Sequence, residues 1–113
     1  TDYNERFLAS EIIREKVFEF YGEEIPYSTT VEIEEFKERE AGKDFIKAII
    51  YVERESQKGI IIGKDGKAIK HVGLIAREEI EKEIGRKVYL ELLVKVIEKW
   101  RKDKSKLYKL GYK

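Results

Sequence analysis

Ile60-Ile61-Ile62-Gly63-Lys64-Asp65-Gly66-Lys67-Ala68-Ile69-Lys70 is the stretch on which the reading of this chain turns. Two glycines three apart, between apolar helical pieces, let the backbone bend sharply and approach a ligand closely. Without β-carbons at 63 and 66, a sugar-phosphate chain can lie against the main chain. The N–H groups that open the following helix add partial positive charge toward it. Lys64, Lys67 and Lys70 add mobile cations on the same side. A plain turn is the other reading of Gly-x-x-Gly, because the motif alone is common. A phosphate-binding P-loop is not supported: it needs Gly-x-x-x-x-Gly-Lys-Ser/Thr, and here Lys58 stands five before Gly63 while Asp65 follows Lys64. A dinucleotide fingerprint fails too, on glycine spacing and on the lack of a preceding strand.

Downstream, Ala68/Ile69, Val72, Ala76, Ile80 and Ile84 keep helical spacing, which predicts a helix from about Lys67 to Ile84, stopped by Gly85. From Lys87 to Ile97, Val88, Leu90, Leu92, Val94 and Val96 alternate strictly, the pattern of a strand. Upstream, Phe45 to Arg54 is a strand with Ile46, Ala48, Ile50 and Val52 on one face and Lys47, Ile49 and Tyr51 on the other. Ala41-Gly42-Lys43-Asp44 reads as the turn joining it to a β-branched strand, Thr29 to Ile33. The first segment, roughly Asn4 to Tyr21, has Leu8, Ile12, Ile13, Val17, Phe20 and Tyr21 at helical gaps, with Gly22 as a stop and Pro26 in the connector. The order is helix, strand, strand, short helix, long helix, strand. The first two strands pair as an antiparallel hairpin, and a helical crossover favours parallel pairing of the second and third.

At 113 residues the chain has the size of one domain, and hydrophobic and charged residues at 42% each describe a globule with a heavily charged surface. There is no cysteine and a single His71, which excludes disulfides and Cys- or His-rich metal sites. No apolar run reaches the ~20 residues of a membrane span and no signal peptide opens the chain, so the expected compartment is the cytoplasm. A start at Thr1 without any methionine predicts a fragment or an engineered sequence. Net charge is +1 but unevenly spread: Ser56–Arg77 carries +4, Lys95–Lys113 carries +6, and Thr30–Ala41 carries −3. Separated basic zones are what a phosphate backbone senses.

Glycines after an Ile-rich turn, before a long helix, inside a strand–helix–helix–strand unit, resemble a KH module. In that fold the Gly-x-x-Gly loop grips about four nucleotides of single-stranded RNA. The helix and two strands upstream resemble the type II variant. Ordered blocks extend the likeness along nearly the whole chain: Arg6 to Lys16, Glu24-Ile25-Pro26-Tyr27-Ser28, Val52 to Lys58, Ile61 to Lys70, Val88 to Val96 and Leu110-Gly111-Tyr112. Together they resemble the C-terminal KH domain of the Era family of ribosome-assembly GTPases. The resemblance implies an α+β, type II KH fold, with a mixed three-stranded sheet, helices on one face, and the order α-β-β-α-α-β plus a C-terminal tail helix. It implies one domain over 1–113, with the N-terminal helix and connector in 1–28, the sheet and glycine-loop helix pair in 29–97, and a basic tail in 98–113. The implied partners are single-stranded RNA, the 3′ end of small-subunit ribosomal RNA, and the small ribosomal subunit. No catalytic residue, cofactor, metal or small-molecule substrate is implied, and the GTPase domain lies outside this chain. Leu93 departs from the family, which often has an aromatic residue there. A stability-engineered KH scaffold, or a protein-interaction domain with weak or no RNA binding, is the alternative.

The expected RNA-binding set is Ile62, Gly63, Lys64, Asp65, Gly66, Lys67 and Lys70, with Ile61, Ile69, Lys58, Arg54 and Arg77 around it. Ile61, Ile62 and Ile69 suit either the base-binding groove or the core. Lys58 and Arg54 could reach phosphates or be plain solvated charges. Arg77 has two readings as well, RNA contact or a surface salt bridge with Glu81. His71 is expected to be passive. Glu32, Glu34, Glu35, Glu38 and Glu40 lack a partner base or nucleophile and read as a charged hairpin that blocks edge aggregation. Trp100, Leu107, Tyr108, Leu110 and Tyr112 are expected to pack the tail as a short helix.

Overall fold

The structure is a computed structural model and describes residues 3–97. The tail expectation, from Trp100 to Tyr112, lies outside the described residues. Helix α1 (Tyr3–Tyr21) leads through a 3₁₀ turn (Gly22–Glu24) to strands β1 (Thr30–Lys37) and β2 (Asp44–Val52). Helix α2 (Glu55–Ile62), the turn Lys64–Gly66, helix α3 (Lys67–Ile84) and strand β3 (Val88–Val96) follow. The sheet order is β1-β2-β3. β1 pairs antiparallel with β2, from Thr30↔Tyr51 to Lys37↔Phe45, and β2 pairs parallel with β3, from Asp44↔Val88 to Val52↔Val96. This is the expected mixed sheet, and β3 is one of its edges.

Both long helices owe their position to an apolar stripe. Ala9, Ile12, Ile13, Val17 and Tyr21 of α1 are buried, as are Val72, Ala76 and Ile80 of α3. They cover Ile46, Ala48, Ile50 and Val52 of β2 in one core cluster that also takes in Ile61, Ile33, Phe36, Val88 and Val94. The predicted stripe of α1 differs at one point: Phe20 stays 46% exposed. It sits about 60° round the helix from Val17, at the edge of the covered face.

Strand β1 runs four residues beyond its predicted end. The register slips between Ile33 and Glu35, so Ile33↔Ala48 is followed by Glu35↔Lys47 and Phe36↔Ile46. Glu34 is the extra residue of a β-bulge, which puts Ile33 and Phe36, three apart, on the same buried face. A search for strict alternation stops at such a break. Of the five glutamates, Glu34 reaches Lys47 at 3.1 Å, Glu35 reaches Lys37 at 3.4 Å, and Glu32 accepts the Tyr51 hydroxyl at 3.0 Å.

One ionic node ties three elements together. Asp44, 1% exposed, accepts the Arg86 Nε–H at 2.7 Å and the Arg39 backbone N–H at 3.2 Å. The Arg86 Nη2 donates to Glu5 of α1 at 2.8 Å and lies 3.6 Å from Glu38. Hydrogen bonds to Glu5 and Asp44 raise the guanidinium pKa above its already high ordinary value. The turn between α3 and β3 is thereby fastened to the start of α1 and to β2.

Candidate nucleic-acid interface

The chain reverses at residues 63–66 through three positive φ angles: Gly63 at 75°, Asp65 at 55° and Gly66 at 72°. The first of these combines with a ψ of 176°, a region open essentially to glycine alone. Space makes the same demand, since a β-carbon on Gly63 would lie 2.6 Å from the Ala68 β-carbon. Gly66 is left-handed, but a β-carbon there would meet nothing within 4 Å. The bend is closed internally by the Gly63 N–H donating to the Gly59 carbonyl at 2.9 Å and the Gly66 N–H to the Gly63 carbonyl at 3.2 Å. Lys64, Asp65 and Lys67 are exposed at its tip.

Two contacts hold α2, and with it the bend, in place. The buried Tyr21 hydroxyl of α1 donates to the Ile61 carbonyl in the last turn of α2. Burial pushes that phenol up to about 12. At the other end the Gln57 side-chain oxygen accepts the backbone N–H groups of Glu53 and Arg54, at 3.0 and 3.1 Å. This satisfies donors that the start of a helix leaves free. The helix therefore starts at Glu55, five residues before the Ile60-Ile61-Ile62 run that marks it in the sequence.

A groove of about 330 Å³ lies between α3 and β3, lined by Ile69, Lys70, Gly73, Leu74, Arg77, Leu90 and Leu92. Its wall comes from one ridge of α3 and its floor from β3, the edge strand that the helices cover only in part. Gly73 leaves room: a β-carbon there would sit 3.7 Å from Leu92 Cδ1. Leu74 is 45% exposed above it. The lining is apolar with two cations at the rim, which suits flat aromatic rings attached to a phosphate chain. Arg77 also bridges to Glu81 at 3.1 Å, and the same carboxylate accepts the Val88 N–H at 2.8 Å. Burial alone would raise the Glu81 pKa, but the Val88 amide and the Arg77 guanidinium outweigh it and hold the carboxyl below its ordinary range.

The expected residues divide by place. Gly63, Lys64, Asp65, Gly66 and Lys67 form the bend; Ile69, Lys70 and Arg77 line the groove; Ile62 is half-buried and packs against the core. Ile61 has 0% exposure and takes the core reading of its two, so its side chain does not reach the groove. Arg54 is exposed and Lys58 half-buried, both on α2 or at its start and outside the groove lining. Sequence reasoning missed Gly73, Leu74, Leu90 and Leu92. The alternation of β3 places its two leucines on one face of a strand and no further, and Leu74 falls outside the buried stripe of α3; its spacing of four from Lys70 and three from Arg77 is the signal that could have joined these three on one ridge. Among the described residues, no group of three or more His, Asp or Glu is placed to hold a metal ion, and no helix is long and apolar enough to cross a membrane.

The KH domain family matches residues 24–101. The chain is 57% identical over 114 residues to the GTPase Era of Thermotoga maritima, covering 100% of this chain and 38% of that protein. It is 51% identical to the chloroplastic GTPase ERA1 of Zea mays, covering 99% of this chain and 27% of that one. Among solved structures it is similar to Aquifex aeolicus Era bound to GDP·AlF4−, with a TM-score of 0.82, 46% identity, and 99% of this chain and 38% of the other covered. It is also similar to Era in complex with MgGDPNP and nucleotides 1506–1542 of 16S ribosomal RNA, with a TM-score of 0.80, 46% identity, and 95% and 36% covered. The chain thus spans well under half the length of these relatives.

Proposed function

This chain belongs to the KH domain family, and from that premise we propose that it binds single-stranded RNA, gripping the backbone at the 63–66 bend and seating bases in the α3–β3 groove. The observation that carries the reading is the succession of the two features along α3. A bend whose two glycines leave backbone uncovered stands at the start of α3, and the next turns of that helix line an apolar groove of about 330 Å³ that carries Lys70 and Arg77. The bend presents backbone and the cations Lys64 and Lys67 to phosphates; Ile69, Leu74, Leu90 and Leu92 present apolar surface to the bases. Sequence-specific recognition of RNA works on such unstacked single strands, because an A-form duplex hides its base edges.

The RNA we propose is the 3′ end of small-subunit ribosomal RNA, met during ribosome assembly in the cytoplasm. The support is a relative of the same fold in complex with nucleotides 1506–1542 of 16S ribosomal RNA. The binding unit is one KH domain over 1–113, working beside a GTPase domain as in relatives of which this chain matches 38%. It has no catalytic role of its own.

The test is a titration of labelled oligonucleotides, including that 3′ terminus, against the chain and its Gly66→Asp variant. Aspartate tolerates the left-handed conformation, and the open space at Gly66 means that the variant folds. The added carboxylate repels phosphates held at the bend, so affinity should fall by roughly tenfold or more. Equal affinity in the folded variant would remove the bend from the mechanism. No binding by the parent chain at low salt would favour the protein-interaction or scaffold reading instead.

A further inference from the structure

Phe20 and His71 form an exposed aromatic pair beside the bend that neither the core nor the groove uses. Their ring centroids are 5.0 Å apart, with the planes tilted by 42°. Phe20 is 46% exposed near the end of α1, and His71 is exposed on the second turn of α3. Phe20 has a second ring contact. Phe20 also meets Tyr21 edge-on at 5.0 Å, and Tyr21 is anchored through its hydroxyl to the Ile61 carbonyl, two residues before Gly63. The pair is therefore built into the same contact that fixes α2 and the bend.

Its direction from the bend is informative. The groove ridge of α3 comprises Ile69, Lys70, Gly73, Leu74 and Arg77; at 3.6 residues per turn His71 lies about 130° round the helix from the middle of that ridge. The helix end that carries Lys67 thus has the groove on one flank and the aromatic pair on the other. His71 is four residues from Lys67, about 6 Å along the axis, close to the reach of one extended nucleotide. A strand gripped at 63–66 with its bases in the groove would continue past the bend toward the opposite flank, where the Phe20–His71 pair exposes aromatic surface.

We propose that Phe20 and His71 are a stacking platform for one nucleobase beyond the groove, on the far flank of α3, which lengthens the RNA site by a nucleotide. This rests on the RNA-binding reading above and adds a subsite to it. An exposed phenylalanine alone is ordinary on a protein surface. An exposed phenylalanine packed against an imidazole, one helical turn from a cation of a phosphate-gripping bend, is what single-strand binders use: a sequence-tolerant π-face next to a positive track.

The experiment is a length series on the whole chain. Four-nucleotide RNAs that the groove and bend accommodate are compared with the same RNAs extended by one nucleotide at either end, against the parent chain, Phe20→Ala and His71→Ala. Extension at one end should tighten binding by roughly 5- to 150-fold, the value of one base stacked on an aromatic side chain. Phe20→Ala should abolish that gain and His71→Ala should cut it, both leaving the four-nucleotide affinity unchanged. Binding of the short RNA with no gain on extension, or a gain that persists in both variants, overturns the platform and leaves the groove standing. Failure of every RNA to bind the parent chain overturns the RNA reading itself, and the platform with it.

Discussion

Gly63 and Gly66 are chemically identical and physically different. At Gly63 the backbone occupies a glycine-only region and a β-carbon would collide with Ala68 at 2.6 Å; at Gly66 only the left-handed φ of 72° resists a side chain. Gly63→Ala should therefore cost about 2–4 kcal/mol, strain and overpacking together, whereas Gly66→Ala should cost about 1–2 kcal/mol. Urea unfolding curves of the two variants check this, with the slope unchanged and only the midpoint shifted. Equal midpoints would mean that Ala68 gives way and the bend is looser than its geometry indicates. The glycine spacing was legible in the sequence because it follows from chain flexibility alone. The Ala68 contact was not, because it depends on how α2 and α3 meet. The same distinction explains Leu74, whose neighbours Lys70 and Arg77 were singled out while it was passed over: its exposure arises from the stand-off between α3 and β3, which no local pattern encodes.

Between elements, Tyr21 is the contact that joins α1 to the end of α2, and its phenol offers a direct readout. Burial raises it from an ordinary 10.0 to about 12, so the folded state prefers the protonated phenol more than the unfolded chain does. Its contribution to stability is complete below pH 10 and is lost as pH rises toward about 12. The Tyr21 share of the stability lost over that window, on the order of 2 kcal/mol, should be absent from Tyr21→Phe. Tyr51 is raised to about 12 as well, by burial first and then by its hydrogen bond to Glu32, and supplies the remainder. At neutral pH Tyr21→Phe should cost about 1 kcal/mol for the hydrogen bond to the Ile61 carbonyl. Phenolate absorbance followed alongside alkaline unfolding checks both values, and identical alkaline profiles for the variant and the parent would show that Tyr21 ionises freely. At this scale the sequence was read well where periodicity is unbroken: α3 and β3 fall within a residue of their expected ends. It was read poorly where a side chain alters the backbone's accounting of hydrogen bonds. The bulge at Glu34 hid the second half of β1, and Gln57, capping α2 from inside the helix, hid that helix's start. The Arg86–Asp44–Glu5 node was invisible for a plainer reason, since its members are 42 and 81 residues apart.

For the molecule as a whole, a net charge of +1 cannot draw RNA from a distance, so binding must depend on where the cations sit. The bend and groove rim bring together Lys64, Lys67, Lys70 and Arg77, while the acidic Thr30–Ala41 segment belongs mainly to β1, at the sheet edge opposite β3. Three or four phosphates neutralised on a single strand give a slope of about −2 to −3 in log affinity against log salt. Affinity should then fall roughly 20- to 50-fold between 50 and 200 mM salt. Lys64→Ala and Lys67→Ala should each flatten that slope by about 0.7, the share of one phosphate contact. Leu92→Ala should act oppositely: it removes apolar floor from the groove, weakening affinity at every salt concentration and leaving the slope alone. This separation follows from the architecture, in which the bend and α3 carry the cations while β3 supplies the apolar floor. Titrations at four or more salt concentrations measure slope and intercept independently. A Lys64→Ala variant with the parent's slope would mean that the backbone of the strand runs elsewhere than over the bend, even if RNA binds.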